Sequence, residues 1–105
     1  MRFFLAIFLL LAGCASQPPE HYVDLAWPPS PTPGVLYRLY RADCGNVVGG
    51  ICIEEGTFSV IANSLSGLTY HDATVAGGMS YSYRVTATLG SEESPPSPSV
   101  GVTIP

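Results

Sequence analysis

Residues 81–89 read Tyr-Ser-Tyr-Arg-Val-Thr-Ala-Thr-Leu, and this stretch decides the fold class. Apolar and polar side chains alternate along it. One face would carry Tyr81, Tyr83, Val85 and Ala87, and the other face Ser82, Arg84 and Thr86. A period of two residues is typical of a β-strand that buries one face. Beyond the N-terminus, no segment shows the 3.6-residue period of an amphipathic helix.

Five other segments carry strand patterns between turn residues. Together with residues 79–89, the predicted strands cover residues 21–27, 36–41, 57–62, 68–72 and 100–104. Glycine and proline account for 11 and 10 of the 105 residues, which favours short strands and tight turns. The sequence therefore predicts a single all-β domain, an antiparallel two-sheet sandwich.

The N-terminus has the pattern of an export signal. Met1-Arg2 is followed by an apolar run at residues 3–11, about half of the roughly 20 residues that a membrane-spanning helix needs. Residues 11–14 read Leu-Ala-Gly-Cys, which resembles the lipobox of bacterial lipoproteins. The resemblance implies that Cys14 receives a diacylglyceryl group and becomes the first residue of the mature chain. Ordinary cleavage after Ala15 is the alternative.

The chain then divides into three parts. Residues 1–13 are the predicted lipoprotein signal peptide, residues 14–20 a lipidated tether, and residues 21–105 the folded domain. The inner-membrane retention signal of some lipoproteins is an aspartate after the lipidated cysteine, where this chain has Ala15. The resemblance therefore implies a lipid anchor in the cell envelope, in the outer membrane if the cell has two.

The charge balance bears on the partner. Beyond residue 13 the chain has three arginines, no lysine and eight carboxylates, a formal net charge of −5. Such a field repels a polyanion, so no nucleic-acid partner is expected.

The remaining cysteines form a natural pair. An exported protein with three cysteines has one left over, and lipidation of Cys14 accounts for it. Seven residues separate Cys44 from Cys52, and a disulfide across so short a loop stabilises a fold by about 2–3 kcal/mol. A metal site is the alternative, but it would want closer cysteines and further ligands.

Residues 22–105 resemble a fibronectin type III domain. The matching positions are Leu25, Trp27 and Pro29, then Tyr37, Leu39, Tyr40 and Arg41, and finally Tyr81, Tyr83, Arg84, Val85 and Ala87. Val75 and Tyr81 are six positions apart, as in that family. The resemblance implies that Tyr81 is the tyrosine-corner residue, whose hydroxyl ties a turn to the sandwich.

Two departures from that family pattern stand out. Gly77 occupies a position where the family often has proline, which is expected to loosen the turn. The segment between the predicted cleavage site and His21 is short, so the first strand is expected to be frayed or missing. That would leave a sheet edge partly open.

Little in the sequence suggests catalysis. His21, His71 and Asp72 are the residues that invite it, but neighbours along a strand point to opposite faces. The acid pairs Glu54-Glu55 and Glu92-Glu93 fall in predicted loops and are expected to be solvated. We expect no enzyme activity, no cofactor and no metal.

The candidate binding face consists of outward-facing residues on two strands. These are Arg38, Tyr40, Arg84 and Thr86. The fibronectin type III resemblance implies that the two strands are neighbours, and arginine and tyrosine are favoured at binding hot spots. A solvated face with cross-strand acid partners is the alternative. The loop at residues 43–54 is a second candidate surface, because a pinned loop loses less entropy on binding.

Two functions follow from these observations. The first is a non-enzymatic, membrane-anchored binding or adhesion module whose partner is a protein or an envelope glycan. The second is a structural or assembly lipoprotein whose open sheet edge accepts a strand from a partner.

Overall fold

The computed structural model describes the backbone of residues 8–12 and the whole of residues 21–105. Within these residues the chain forms strands and no helix that could cross a membrane. The strands are β1 Phe8–Ala12, β2 Tyr22–Ala26, β3 Leu36–Asp43, β4 Val47–Val48, β5 Ile51–Cys52, β6 Ser59–Leu65, β7 Thr69–Asp72, β8 Ser80–Leu89, β9 Glu92–Glu93 and β10 Val100–Thr103.

The strands form two main sheets. The first sheet has the order β1-β2-β7, and the second has the order β10-β8-β3-β6 with β9 beside β8. Strands β4 and β5 form a separate hairpin. Every pairing is antiparallel. The predicted all-β antiparallel sandwich is confirmed.

The core lies between the two sheets. Tyr83, Val85 and Leu39 are completely buried, as the alternation along β8 and β3 predicts. Trp27 is 2% exposed, and its ring centroid lies 5.8 Å from that of Tyr37. Each large apolar side chain buried in this way contributes about 1.5–3 kcal/mol relative to exposure.

Strand β1 comes from the segment predicted to be the signal peptide. It pairs with β2 along its whole length, with Phe8 opposite Ala26 at one end and Ala12 opposite Tyr22 at the other. The first strand, expected to be frayed or missing, is therefore present in the full-length chain, but it uses residues that export would remove. Cys14 and the tether at residues 14–20 lie outside the described residues, so lipidation stays a prediction.

The turn before β8 is closely packed. The hydroxyl of Tyr81 accepts a hydrogen bond from the N–H of Ala76 at 3.0 Å. A Cβ on Gly77 would lie 2.8 Å from Nε2 of His21 and 3.2 Å from the carbonyl oxygen of Pro105. Gly77 therefore leaves room for His21 and Pro105, which pack closely against this turn.

The segment between β3 and β6 folds as a hairpin, here called the cysteine hairpin, residues 44–55. Gly49 and Gly50 join β4 to β5 with φ of +58° and +77°, a left-handed geometry that glycine adopts without strain. A disulfide joins Cys44 to Cys52, whose Cα atoms lie 6.0 Å apart. The predicted cysteine pair is confirmed.

The cysteine hairpin lies across the outer face of the second sheet. The hydroxyl of Ser82 on β8 donates to Oε2 of Glu55 at 2.7 Å. The N–H of Gly101 on β10 donates to the carbonyl oxygen of Gly50 at 2.8 Å. A Cβ on Gly101 would lie 2.9 Å from the backbone nitrogen of Cys52, so only glycine fits beneath the hairpin.

We expect Gly101→Ala to lower the free energy of unfolding by about 1–2 kcal/mol, because the added methyl group must push the hairpin backbone away. Gly67→Ala is the matched control, since nothing lies within 4 Å of its added Cβ. Urea denaturation of both variants measures the difference. Equal stability of the two would show that the hairpin is not seated on Gly101.

Candidate functional site

The four residues of the predicted binding face come together on the outer face of the second sheet. In the register of β3 with β8, Arg38 is opposite Thr86 and Tyr40 is opposite Arg84. Arg38, Tyr40 and Arg84 are half-buried, whereas Thr86 is only 3% exposed. Thr86 therefore supports the face from below and does not offer its side chain to a partner.

Glu93 on β9 is the centre of this face. Its carboxylate accepts hydrogen bonds from Arg38 Nη1 at 3.0 Å, from Thr86 Oγ1 at 2.7 Å and from the Tyr40 hydroxyl. The hydrogen bonds from Thr86 and Tyr40, with the charge of Arg38, lower the pKa of Glu93 below its ordinary value. The carboxylate thus stays ionised and fixes all three neighbours.

A bulge in β6 gives Arg38 a second partner. Ser64 has a φ of +54°, and the pairing of β3 with β6 shifts between Tyr37 and Leu39. Beside it, the Asn63 side-chain oxygen accepts from Nε of Arg38 at 3.1 Å and from the N–H of Ser64 at 2.9 Å. Arg38 is therefore held from two sides.

Arg84 is held by aromatic rings. Its guanidinium carbon lies 3.9 Å from the centroid of the Phe58 ring and 5.6 Å from that of Tyr40. Such cation–π contacts contribute about 0.5–2 kcal/mol. Its Nε is buried without a hydrogen-bond partner among the described residues. The same residues supply ion pairs to Arg38 and Arg41 but none to Arg84.

Two residues of this site were missed by the sequence analysis. Glu93 was assigned to a solvated loop, but the structure places it on β9, paired with Thr88 of β8. Phe58 was assigned to a strand, and it lies in the connection just before β6. We name the set Arg38, Tyr40, Phe58, Arg84 and Glu93 the outer-face cluster.

A second polar group lies inside the sandwich. Asp72 of the first sheet is 2% exposed and accepts from Arg41 at 2.9 Å and from the Tyr83 hydroxyl at 2.6 Å. Thr74 adds bonds from its N–H at 3.0 Å and its hydroxyl at 2.5 Å. Burial raises the pKa of Asp72, but the hydrogen bonds from Thr74, Tyr83 and Arg41 outweigh it, so this pKa lies below its ordinary value. These contacts join the two sheets.

The histidine residues do not assemble a site with Asp72. His71 is exposed, and its Nδ1 lies 2.5 Å from Oδ1 of Asp24 on the neighbouring strand. Asp72, the next residue, points into the sandwich. His21 lies beside Gly77 at the end of the domain. Among residues that the structure describes, no three potential metal ligands come together.

Strand order and pairing define an immunoglobulin-like sandwich. The fold is that of a fibronectin type III domain, as solved structures show. A fibronectin type III-like protein from Clostridium thermocellum superposes with a TM-score of 0.63 at 24% identity, over 93% of this chain and 88% of that one. The twitchin kinase region from C. elegans gives 0.67 at 21% identity, and the match covers 97% of this chain but 16% of that one.

A myokine structure superposes with a TM-score of 0.65 at 11% identity, over 100% of this chain and 99% of that one. No protein-family model and no curated protein sequence matches the chain. Identity at these levels supports the fold alone. The function of this domain must therefore be inferred from the residues on its surface.

Proposed function

We propose that this chain is an exported, lipid-anchored protein of the cell envelope whose fibronectin type III-like domain binds a protein or glycan partner without catalysing a reaction. The sequence at residues 11–14 supports the anchor on Cys14. The absence of an aspartate after Cys14 supports the outer membrane in a cell that has two. The outer-face cluster supports the binding role.

The arrangement of Arg84 is the observation that carries this proposal. Its positive charge lies against Phe58 and Tyr40 and has no carboxylate partner in the described part of an acidic chain. Arginine and tyrosine together are typical of binding hot spots. Because Glu93 already fixes Arg38 and Tyr40, these two side chains would lose little further conformational entropy when a partner binds.

Photo-crosslinking in the native envelope tests this role. A photo-reactive amino acid replaces Tyr40 in one protein and Val48, on the cysteine hairpin, in another. We expect a discrete protein or glycan adduct from position 40, whose yield falls about tenfold or more when Arg38 and Arg84 are both alanine. Amine crosslinkers would serve poorly, because the chain beyond residue 13 has no lysine.

Asp24→Ala/His71→Ala is the matched control, because it removes an exposed contact between two side chains of the other sheet. Its adduct yield should equal that of the parent protein. An undiminished adduct in the Arg38→Ala/Arg84→Ala protein, with its folding verified by thermal denaturation, would rule out the outer-face cluster as the binding surface.

A strand-accepting assembly protein is the second candidate function, and β1 favours it. Cleavage before Cys14 would remove β1, the strand that pairs with residues Tyr22–Ala26. The tether that remains contains Pro18 and Pro19, which are poor at completing a ladder. An open edge of this kind can take up a partner strand. This candidate predicts no adduct from position 40 or 48, but co-purification with envelope proteins in a fixed ratio.

A further inference from the structure

The cysteine hairpin carries an apolar face that folding does not use. Val48 and Ile51 lie opposite each other across the hairpin and are 59% and 61% exposed. Ile53, the residue that follows β5, is 59% exposed. Val47 and Cys52, the alternate pair, are less exposed and face the sheet. We call Val48, Ile51 and Ile53 the hairpin apolar face.

This apolar face is held rigidly. The disulfide closes the base of the hairpin, and Gly50 is bonded to Gly101 of β10. Glu55 is bonded to Ser82 of β8. A rigid cluster of exposed aliphatic side chains marks an interaction surface, because docking it costs little conformational entropy.

The chain enters the domain at the end that carries the hairpin. The N–H of Cys44 donates to the carbonyl oxygen of Ser80, the first residue of β8. Gly77, three residues before Ser80, adjoins His21, the residue that precedes β2. His21, the first described residue after the tether, therefore lies near the turn from which the hairpin leaves.

The tether is short compared with the domain. Seven residues extend at most about 25 Å, whereas a ten-residue strand such as β8 extends about 33 Å. A lipid on Cys14 would hold the hairpin end of the sandwich near the bilayer. Tethering at such a distance raises the local concentration, so even weak contacts become populated.

The charges around the hairpin select the kind of lipid surface. Asp43 and Glu54 flank it, and both are exposed. Arg41, the nearest arginine in the chain, is committed to Asp72. Residues 44–55 contain no lysine or arginine, so the hairpin itself offers nothing that attracts anionic headgroups. Its aliphatic residues favour the boundary between headgroups and acyl chains of an uncharged bilayer.

We propose that the hairpin apolar face docks on the uncharged lipid surface of the membrane to which the chain is anchored. This inference depends on the proposed lipidation of Cys14.

Tryptophan fluorescence in vesicles tests the docking. The full chain is exported and processed in cells, its mass is measured, and it is reconstituted in phosphatidylcholine with brominated acyl chains. We expect Ile51→Trp to lose about half of its added emission or more. Ser91→Trp, in the turn between β8 and β9 at the other end of β8, should keep its emission. The native Trp27 is 2% exposed and gives a constant background.

Two further comparisons make the test specific. Val48→Ser/Ile53→Ser should abolish the quenching of Ile51→Trp, and anionic phosphatidylglycerol should reduce it. Suppose that the measured mass includes the lipid. If Ile51→Trp is then not quenched, or is quenched only as much as Ser91→Trp, the docking is overturned and the anchor is not. A mass without lipid overturns the anchor and the docking together.

Discussion

Replacing Asp72 with alanine is expected to destabilise the domain by about 3–5 kcal/mol, the range for removing one partner of a buried ion pair. The buried carboxylate accepts from Arg41, Tyr83 and both donors of Thr74. Without it, Tyr83, which is completely buried, keeps a hydroxyl with no acceptor there. Arg41 loses its ion pair at the same time. Urea denaturation measures the loss.

Asp24→Ala is the matched control for this prediction. Asp24 also lies in the first sheet and its carboxylate also contacts a basic side chain, that of His71, but Asp24 is 43% exposed. Exposed pairs contribute about 0–1 kcal/mol. A loss at Asp72 as small as that at Asp24 would contradict the structural role assigned to the buried carboxylate.

The same carboxylate gives the domain a pH dependence with a defined sign. Hydrogen bonds hold the pKa of Asp72 below its ordinary value of 3.8, so ionised Asp72 stabilises the folded state fully above that pH. The contribution disappears as the pH falls through the lower folded pKa. The difference in unfolding free energy between the parent protein and Asp72→Asn should therefore shrink as the pH is lowered from 5 toward 2. A difference in unfolding free energy that stays constant over this pH range would contradict the stabilising role of ionised Asp72.

Removing the disulfide with Cys44→Ala/Cys52→Ala is expected to lower the free energy of unfolding by about 2–3 kcal/mol, because the unfolded chain regains the freedom of a short closed loop. Loss of the disulfide should also weaken the attachment of the hairpin in the folded protein. The cysteine hairpin would keep only hydrogen bonds such as Gly101–Gly50 and Ser82–Glu55 to hold it on the sheet. Denaturation and amide hydrogen exchange at Gly101 measure the two consequences.

Reduction of the parent protein supplies the control for the disulfide. A thiol reductant should reproduce the stability of the double variant without any residue being substituted, and it should have no effect on the variant itself. Unchanged stability on reduction would mean that hydrogen bonds and packing alone hold the hairpin. In that case a rigid hairpin apolar face would no longer depend on the cysteine pair.

The sheet strands could be predicted because one face of each is buried. Alternation in residues 79–89 and 36–41 placed Tyr83 and Leu39 in the core, and both are completely buried. The same alternation placed Arg38 and Arg84 on the outer face. Arg38 and Arg84 lie close together because β3 and β8 are neighbours. The fibronectin type III resemblance implied this arrangement, and the β3–β8 register shows it.

The chemistry of the outer face could not be predicted from local pattern. Glu93 follows a turn, and nothing in the sequence Ser-Glu-Glu-Ser indicates that this carboxylate reaches Arg38, 55 residues earlier in the chain. Phe58 lies outside any regular strand, so alternation did not assign it to Arg84. Asp72 was considered only with its neighbour His71, whereas its partners come from the opposite sheet.

The sequence by itself determined the antiparallel sandwich, the buried face of each long strand and the pairing of Cys44 with Cys52, because these depend on side-chain alternation and on a cysteine count. Only the tertiary structure decided which polar groups meet. It joined Glu93 to Arg38 and Asp72 to Arg41, and it laid the cysteine hairpin over Gly101. Hydrogen bonds and ion pairs act over a few ångströms, so their partners are known only once distant strands are side by side.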